Sequence, residues 1–552
     1  MRRTGLKAYI QSHEWRFVIW VTVIILVITS LPYIYAVRTA PPDKQFVGFV
    51  LNTSDHAQYL AWYKGFQTAF LISNHQTSEP NPSIFFNLLW WMLGRFGYYT
   101  GLNYIVVYQV FRCLAGAFFL ITTYAFTSLF FTSVLQRRFA FMMIALGSGL
   151  GWILVLLKYL MHQADVMFPL DVYVVEGNSF LCIMGYPHFS EAAGLILLII
   201  GLLLFGERRG QLRYAVIAGL TAFFLGWQHA YDLLIVWMIP TVYAGILYLR
   251  TRRWPAHWFK AMLIVGLLSW PPALYSVLLT RLNPIWKQVL AQFSNAGVYT
   301  PNLLHMVILM GVPLLLALVT LILQVRDMLT RRNPAALDGL NLFLWVWFIV
   351  GWALTYLPTD FQIHMISSWQ VPIALLAVLG FNQYILPFLS RGWPLAKRAS
   401  VPAILLLALV ALTNAYLLLW RFVDLNRYDY PYYLYKEEVA AMHWLEEKQA
   451  DSVVLSSYDT GRYIPGISGQ TAFLSHWAQT VDFYTKSDLV EQFFNPGGNP
   501  VDRWKLLMNY GIDYVFVGPA EHALGGYQPG EDEFLELVFS NTQVSIYQVV
   551  LP

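Results

Sequence analysis

Long apolar runs separated by short polar segments make up most of this chain. A helix needs roughly 20 predominantly apolar residues to cross the hydrocarbon core of a bilayer, and the runs are of about that length. They predict about eleven membrane-spanning helices. In chain order the predicted spans are 17–36, 104–131, 139–159, 191–205, 214–226, 233–249, 259–279, 303–323, 341–357, 366–388 and 401–420.

The pattern changes at about residue 424, after which charged and apolar positions mix and no further spanning run occurs. Alternating helices and strands are typical of a small α/β domain. The sequence therefore predicts a mainly α-helical polytopic membrane domain, residues 1–423, followed by a small C-terminal α/β domain, residues 424–552. Within the second domain, periodicity predicts helices at 433–449 and 501–510 and strands at 452–457, 471–477, 514–517 and 544–550.

The basic residues predict the orientation of the spans. Short cytoplasmic loops carry most Lys and Arg, and the basic clusters of this chain fall on one side if the spans alternate. The N-terminus is then cytoplasmic, and the first outer loop, 37–103, and residues 424–552 are extracytoplasmic, in a multi-pass protein of the cell (plasma) membrane. The clusters are Arg2/Arg3/Lys7, Arg137/Arg138, Arg208/Arg209/Arg213, Arg250/Arg252/Arg253, Arg326/Arg331/Arg332 and Arg391/Lys397/Arg398.

Composition agrees with the membrane class and argues against two others. The chain is 57% hydrophobic and 12% charged, far too apolar for a soluble protein of 552 residues. Its net charge of +4 lies in short clusters between apolar runs, which argues against a nucleic-acid partner. Its two cysteines, Cys113 and Cys182, indicate neither a disulfide framework nor a thiolate metal site.

The first outer loop carries the first candidate chemistry. Asp55 and His56 open a segment that reads as a helix, and Asp55 is either its N-cap or a reactive carboxylate. Glu79 follows in a turn made rigid by two prolines and is a second candidate acid on the same side of the membrane. The aromatic spacing predicts that one face of the helix lies on the bilayer interface, through Tyr59, Trp62, Tyr63, Phe66 and Phe70.

Further polar residues occur at the outer ends of later spans. Each histidine alone could be an interfacial anchor, but ionisable groups at membrane depth most often face a cavity or a partner. Several imidazoles and carboxylates are therefore predicted to converge on one substrate-binding cavity. The candidates are Tyr186, His188, His229, Asp232, Gln362 and His364.

Two arginines are candidates for binding an anion. Arg112 lies inside an apolar run, where it either snorkels to the outer interface or binds a phosphate through its planar guanidinium. Arg281, near Lys287, is either simply solvated or a second phosphate contact.

Taken together, these features resemble the GT-C superfamily of membrane glycosyltransferases. The shared features are an inside N-terminus, a long first outer loop with an acid soon after the first span, about eleven spans and an outer α/β domain. Four stretches, 55–62, 78–82, 185–189 and 369–376, also resemble bacterial GT-C-like proteins of unassigned substrate.

The resemblance implies transfer of a sugar from a polyprenyl-phosphate-linked donor, and the expected mechanism inverts the anomeric configuration. Asp55 matches the first-loop base of the superfamily, with His56, Glu79 or His188 orienting the acceptor. Many members carry Asp-x-Asp, whereas His56 and Ala57 follow Asp55 here, so the dependence on Mg²⁺ or Mn²⁺ stays open. The acceptor is a lipid, an isoprenoid such as a carotenoid, a glycan or a protein, and a homo-oligomer also stays open.

Residues 457–463 and 475–476 of the outer domain either cap the cavity and choose the acceptor or form ordinary loops. Two other classes compete with an enzyme. One is a non-catalytic lipid- or pigment-binding scaffold that keeps the fold. The other is a transporter, against which the chain shows no matching pair of broken helices.

Overall fold

The structure is a computed structural model that describes residues 10–162, 170–172, 174–295, 299–331 and 339–550. Four of the basic residues on which the predicted orientation depends lie outside these ranges: Arg2, Arg3, Lys7 and Arg332. The first helices are α1 (Ser12–Thr39), α2 (Thr53–Thr68), α3 (Leu88–Thr100), α4 (Tyr104–Thr127), α5 (Val134–Leu146), α6 (Gly151–Met161), α7 (Ser179–Gly185), α8 (Pro187–Arg209), α9 (Arg213–Gly226), α10 (Asp232–Thr251), α11 (Ala256–Leu282) and α12 (Pro284–Asn295).

The remaining helices are α13 (Leu303–Arg331), α14 (Gly339–Thr355), α15 (Gln370–Gly380), α16 (Leu386–Gly392), α17 (Ser400–Val410), α18 (Leu412–Leu425), α19 (Lys436–Glu446), α20 (Tyr458–Gly461), α21 (Ile464–Ile467), α22 (Phe483–Phe494), α23 (Pro500–Asn509) and α24 (Pro519–Leu524). The strands are β1 (Lys44–Phe46), β2 (Tyr433–Tyr435), β3 (Val453–Leu455), β4 (Thr471–Ala472), β5 (Tyr514–Val517), β6 (Leu535–Ser540) and β7 (Ser545–Val549).

Apolar helices long enough to cross a membrane dominate the described residues. Seven helical segments meet that length and composition, or nine if each of two bent pairs counts as one span. Every predicted span falls on one of these segments or on α9 or α14, which are apolar but have only 14 and 17 residues. The predicted polytopic α-helical fold is confirmed, with seven to nine spans by length rather than eleven.

The two bent pairs are α5 with α6, bent by 48°, and α17 with α18, bent by 43°. At these breaks the backbone amide of Ser148 donates to the Val410 carbonyl at 2.9 Å, and Asn414 Nδ2 donates to the Leu146 carbonyl at 2.8 Å. Asn178 Nδ2 in turn donates to Asn414 Oδ1 at 2.7 Å. A backbone amide and a side-chain amide thus satisfy carbonyl groups at the two breaks. Two broken spans that the apolar runs do not show are present, and the expectation that no such pair matches between two halves of the chain stays a prediction.

The chain forms two compact units that alternate along the sequence. Unit 1 comprises residues 1–31, 110–274 and 298–420, and unit 2 comprises residues 32–109, 275–297 and 421–552. Most of the predicted first outer loop therefore folds with the C-terminal region. The assignment of residues 424–552 as an extracytoplasmic domain stays a prediction.

Unit 2 contains two β-sheets. The first pairs β1 with β2 in antiparallel register, Lys44 opposite Tyr435. The second has the order β4-β3-β5-β7-β6, in which β4, β3 and β5 are parallel and β7 and β6 are antiparallel. The strands expected near 452–457, 471–477, 514–517 and 544–550 are present. Strands β1, β2 and β6 were not predicted, and β2 lies at the start of the predicted helix 433–449.

Two hydrophobic cores cover the two faces of the five-stranded sheet. Successive strand residues point to opposite faces, so Phe516 and Ile546 join one core and Val515 and Val517 join the other. The first core also contains first-loop residues such as Phe49, Phe66 and Trp90. The first loop is therefore part of the hydrophobic interior of unit 2.

Most of the predicted aromatic face packs inside unit 2 and not on a membrane surface, whereas Phe70, just after α2, is exposed. Tyr63 and Phe66 are buried, and the Tyr59 ring stacks on Trp90 with centroids 4.8 Å apart. Helical periodicity identified an apolar face correctly, but that face packs inside unit 2. Exposed large apolar side chains occur instead on α3, including Phe96 and Tyr99.

Candidate active site

Asp55 lies in the first turn of α2. That helix begins at Thr53, and its N-cap is Asn52, whose side chain makes no capping hydrogen bond within the described residues. The alternative in which Asp55 serves only as the N-cap is therefore wrong. A carboxylate in the first turn still interacts favourably with the positive end of the helix dipole.

Asp55 contacts a histidine from the C-terminal region. His476 Nε2 lies 3.0 Å from Asp55 Oδ1, and the His476 side chain is 1% exposed whereas that of Asp55 is 32% exposed. His476 Nδ1 accepts a hydrogen bond from the Ala478 backbone N–H at 3.0 Å. An imidazole nitrogen that accepts carries no proton, so the His476 proton lies on Nε2 and is donated to Asp55.

Hydrogen bonds to the first loop hold the segment that carries His476. Thr480 Oγ1 donates to the Gln76 carbonyl at 2.7 Å, and Asn74 Nδ2 donates to the Gln479 carbonyl at 3.0 Å. The segment follows β4 directly, and the Phe473 amide donates to the Val454 carbonyl of β3 at 2.9 Å. The sheet and the first loop together place His476 opposite Asp55.

Glu79 is held by a buried lysine. Lys486 Nζ, in the first turn of α22, lies 2.8 Å from the Glu79 carboxylate and 2.9 Å from Ser78 Oγ. Burial lowers the pKa of Lys486, and the negative charge of Glu79 opposes that shift. Nothing in the local sequence distinguishes Lys486 from a surface lysine, so it was not predicted.

His56 is buried among groups that fix its ring. Its Nδ1–H donates to the Asn52 carbonyl at 2.9 Å, and its Nε2 accepts from the Tyr108 hydroxyl at 2.8 Å. These bonds assign the proton to Nδ1, because a carbonyl oxygen can only accept. His56 thus connects the start of α2 to Tyr108.

The predicted motif 457–463 also reaches the start of α2. The Tyr458 hydroxyl lies 3.1 Å from Ser54 Oγ, and Arg462 Nη1 donates to Thr53 Oγ1 at 3.3 Å. Arg462 pairs with Asp459, and its guanidinium carbon lies 4.1 Å from the centroid of the Tyr458 ring. Both motifs singled out in the C-terminal region, 457–463 and 475–476, therefore contact the first turn of α2.

A second polar cluster lies in unit 1. His229 Nδ1 donates to Asp232 Oδ2 at 3.2 Å, and His364 Nδ1 pairs with Glu176. The rings of His188 and His229 lie 5.4 Å apart. The Tyr231 ring stacks on His364 at 5.0 Å, and the Tyr186 ring lies 5.8 Å from that of His188.

Most of the unit 1 candidates are thus brought together, and Glu176 and Tyr231 join them although neither was among the predicted site residues. Gln362 makes a separate contact, in which its Oε1 accepts from the Thr300 amide at 3.3 Å.

The two candidate arginines differ in their surroundings. Arg112 is buried in unit 1, where it donates to Thr29 Oγ1 at 3.2 Å, to Ser30 Oγ at 2.6 Å and to the Ile183 carbonyl at 3.3 Å. Arg281 lies in unit 2, in the last turn of α11, and is exposed.

The residues around Asp55 do not form a clear metal site. Within the described ranges, no group of three or more His, Cys, Asp or Glu side chains is arranged to hold a metal ion. His56 is turned toward Asn52 and Tyr108, and Ala57 offers no side-chain ligand.

No protein-family model matches this sequence, and a comparison with curated proteins gives no match. Solved structures do share its fold. An oligosaccharyltransferase of Archaeoglobus fulgidus, tethered to an acceptor peptide containing the NVT sequon, superposes with a TM-score of 0.54 and 13% identity. The match covers 93% of this chain and 70% of that one.

Two further structures were solved with lipid phosphates. Archaeal AglB from A. fulgidus, in complex with an inhibitory peptide and a dolichol-phosphate, gives a TM-score of 0.54 at 12% identity, over 92% of this chain and 70% of that one. ArnT from Cupriavidus metallidurans, bound to undecaprenyl phosphate, superposes with a TM-score of 0.50 at 12% identity, and the match covers 96% of this chain and 97% of that one. An A. fulgidus oligosaccharyltransferase was also solved with Zn and sulfate, at a TM-score of 0.51 and 13% identity.

The fold is that of the GT-C membrane glycosyltransferases. The structural neighbours are members of this superfamily, and the predicted resemblance is confirmed at the level of the fold.

Proposed function

We propose that this protein is a membrane glycosyltransferase that moves a sugar from a polyprenyl-phosphate-linked donor to an acceptor outside the cytoplasm. The observation that carries the proposal is Asp55, an accessible carboxylate in the first turn of α2 that His476 holds on one oxygen. The shared fold supports it, as do the dolichol-phosphate and undecaprenyl phosphate bound by two neighbours.

In the proposed reaction Asp55 acts as general base. It accepts the proton of an acceptor hydroxyl while the acceptor oxygen forms a bond to the anomeric carbon of the sugar. The bond from that carbon to the phosphate oxygen breaks, and the polyprenyl phosphate leaves with the electron pair. Attack opposite the leaving group in one step inverts the anomeric configuration.

We assign supporting roles to the other residues of unit 2. Glu79 holds the C-terminal region to the first loop through Lys486, and His56 holds the start of α2. Tyr458 and Arg462 are candidates for choosing the acceptor, because both contact the first turn of α2. Arg281 is the candidate for binding the donor phosphate, since an exposed guanidinium can form paired hydrogen bonds to phosphate.

The polar cluster of unit 1 is proposed as a separate substrate-binding site. His188, His229, Asp232 and His364 lie together there, and imidazole and carboxylate groups suit sugar hydroxyls or phosphate oxygens. Tyr186 and Gln362 flank this cluster. Arg112 stays a predicted phosphate contact, and its guanidinium donates to the hydroxyls of Thr29 and Ser30 and to the Ile183 carbonyl.

The test compares lipid and glycan extracts of cells that express wild-type protein, Asp55→Asn or Asp488→Asn at equal abundance. Asp488 is an exposed carboxylate on α22 and serves as the matched control. We expect a glycosylated species to disappear and its unglycosylated acceptor to accumulate only with Asp55→Asn. Full transfer by Asp55→Asn would remove the assignment of the base. Identical extracts with and without the protein would favour a lipid- or pigment-binding scaffold.

Orientation has its own test. A cysteine placed at the exposed Lys505 of α23 should react with a membrane-impermeant maleimide in intact cells if unit 2 is extracytoplasmic. Labelling only after the cells are opened would contradict the proposed orientation.

A further inference from the structure

We propose that His476 is the positioning residue of Asp55, which it orients and keeps ionised for proton transfer. This inference rests on the proposed function, because it assigns to Asp55 the role of general base. It adds a residue of the C-terminal region to the machinery of the first loop. His476 is not expected to touch the reacting atoms.

The direction of the hydrogen bond between His476 and Asp55 supports this role. Because the Ala478 N–H occupies His476 Nδ1, the neutral ring has one remaining donor, Nε2–H, and that donor points at Asp55 Oδ1 at 3.0 Å. A hydrogen bond donated to a carboxylate stabilises its ionised form and restricts its rotation. A base in hydrogen-bond contact with its substrate needs both properties.

The charges of the groups that contact Glu79 and Asp55 also support this role. Glu79 faces the ammonium of Lys486, which compensates its negative charge directly. The contact of Asp55 with His476 is instead made by the Nε2–H of a neutral imidazole, which carries no positive charge. The other charged groups on the contacting segments, Arg462 and Asp459, pair with each other. Of the two candidate acids, Glu79 thus contacts a cation and Asp55 contacts a neutral donor, an arrangement that favours Asp55 as the base.

The burial of His476 supports this role as well. The His476 side chain is 1% exposed while Asp55 is 32% exposed, so a rigid buried group holds an accessible one. Positioning of this kind is worth a large factor in rate, since small displacements of a reacting group can cost roughly 100-fold.

Two substitutions separate positioning from a local structural role. Asn carries a polar atom near the place of Nδ1, so His476→Asn can still accept from the Ala478 N–H but cannot reach Asp55. Gln places an amide N–H near the position of Nε2, so His476→Gln can still donate to Asp55. If the contact with Ala478 has a purely structural role, His476→Asn should retain more transfer activity than His476→Gln.

The experiment measures transfer with membranes or purified full-length protein, using the acceptor found by the extract comparison. We expect His476→Asn to lower kcat by about 10- to 100-fold with little change in KM. The acid limb of its pH–rate profile should move to higher pH, because the ionised form of Asp55 has lost a donor. His476→Gln should restore much of kcat and return the acid limb toward that of the wild type.

The outcomes distinguish this proposal from the proposed function. If Asp55→Asn abolishes transfer but His476→Asn keeps the wild-type rate and pH profile, the positioning role is overturned and the function stands. A rate loss in His476→Asn without a shifted acid limb, not restored by Gln, also overturns it. If Asp55→Asn transfers normally, the proposed function fails and this inference fails with it.

Discussion

Lys486 Nζ lies 2.8 Å from the carboxylate of Glu79, a residue 407 positions earlier in the chain. The lysine is 1% exposed and the glutamate 27% exposed, so only the ammonium is fully withdrawn from water. A buried cation without its partner is costly, whereas an apolar replacement for a buried ion pair is often tolerated. Loss of Glu79 alone should therefore cost more stability than replacement of both charged residues of the pair.

We expect Glu79→Gln to lower the stability of unit 2 by about 2 kcal/mol, because it leaves the buried ammonium of Lys486 without a countercharge. Adding Lys486→Met should restore much of the loss. The measurement is thermal unfolding of the purified full-length protein in detergent. Lys505→Met, which removes an exposed ion pair with Asp502, is the control and should have almost no effect. A double variant no more stable than Glu79→Gln would contradict this reading of the pair.

A disulfide should form between Lys44→Cys and Tyr435→Cys in a background without Cys113 and Cys182. The two residues are opposite each other in the antiparallel pair of β1 and β2. The neighbouring bonds Val47 N to Tyr432 O and Lys436 N to Asp43 O place them in a non-hydrogen-bonded pair, where side chains are closest. Peptide mass spectrometry of the oxidised protein measures the crosslink. Gln45→Cys with Tyr435→Cys is the control, and equal crosslinking there would contradict the register.

Glu438 should make stability depend on pH. Burial raises the pKa of Glu438 to about 7, and its carboxylate accepts from the Tyr435 amide at 2.8 Å. The folded state then binds a proton more tightly than the unfolded chain, in which glutamate has a pKa of about 4.3. The resulting stabilisation is complete below about pH 4 and is lost as pH rises through about 7.

Glu438→Gln should therefore flatten the change in unfolding temperature between about pH 5 and pH 8, since it removes the titrating group. Differential scanning fluorimetry of the full-length protein at several pH values measures this. Glu447→Gln, at an exposed position just after α19, is the control and should keep the wild-type slope. An unchanged slope in Glu438→Gln would show that other groups cause the pH dependence.

Gly97→Ala should destabilise unit 2. A Cβ at Gly97 would overlap the hydroxyl of Tyr63, a buried side chain whose hydroxyl donates to the Leu102 carbonyl at 3.2 Å. Overpacking of this kind costs about 1–3 kcal/mol. Tyr63→Phe removes the overlapping oxygen and should return part of the lost unfolding temperature. Gly526→Ala, where no atom lies within 4 Å of the added methyl group, is the control.

The positions of the spans could be predicted because each run is apolar and close in length to a membrane-spanning helix. Strand β5 was predicted with its observed bounds, because its apolar run is short and buried on both faces. Strand β6 was missed because its residues show no regular alternation of burial, with Glu536 and Leu537 both exposed. The bends at Gly147–Leu150 and Ala411 leave the mean hydropathy of each run high enough for a span, so hydropathy alone does not reveal them, although Gly147-Ser148-Gly149 is a turn-forming stretch.

The sequence by itself determined the membrane class and the order of the helices, because these follow from local composition and periodicity, and its resemblance to the GT-C superfamily singled out Asp55 as the candidate base. Only the tertiary structure decided what faces Asp55 and Glu79. His476 and Lys486 lie more than 400 positions away from them in the chain. Such pairs depend on the closure of the sheet and the packing of unit 2. Periodicity also showed that α2 has an apolar face, but only packing decided that the protein interior, and not lipid, covers Tyr63 and Phe66.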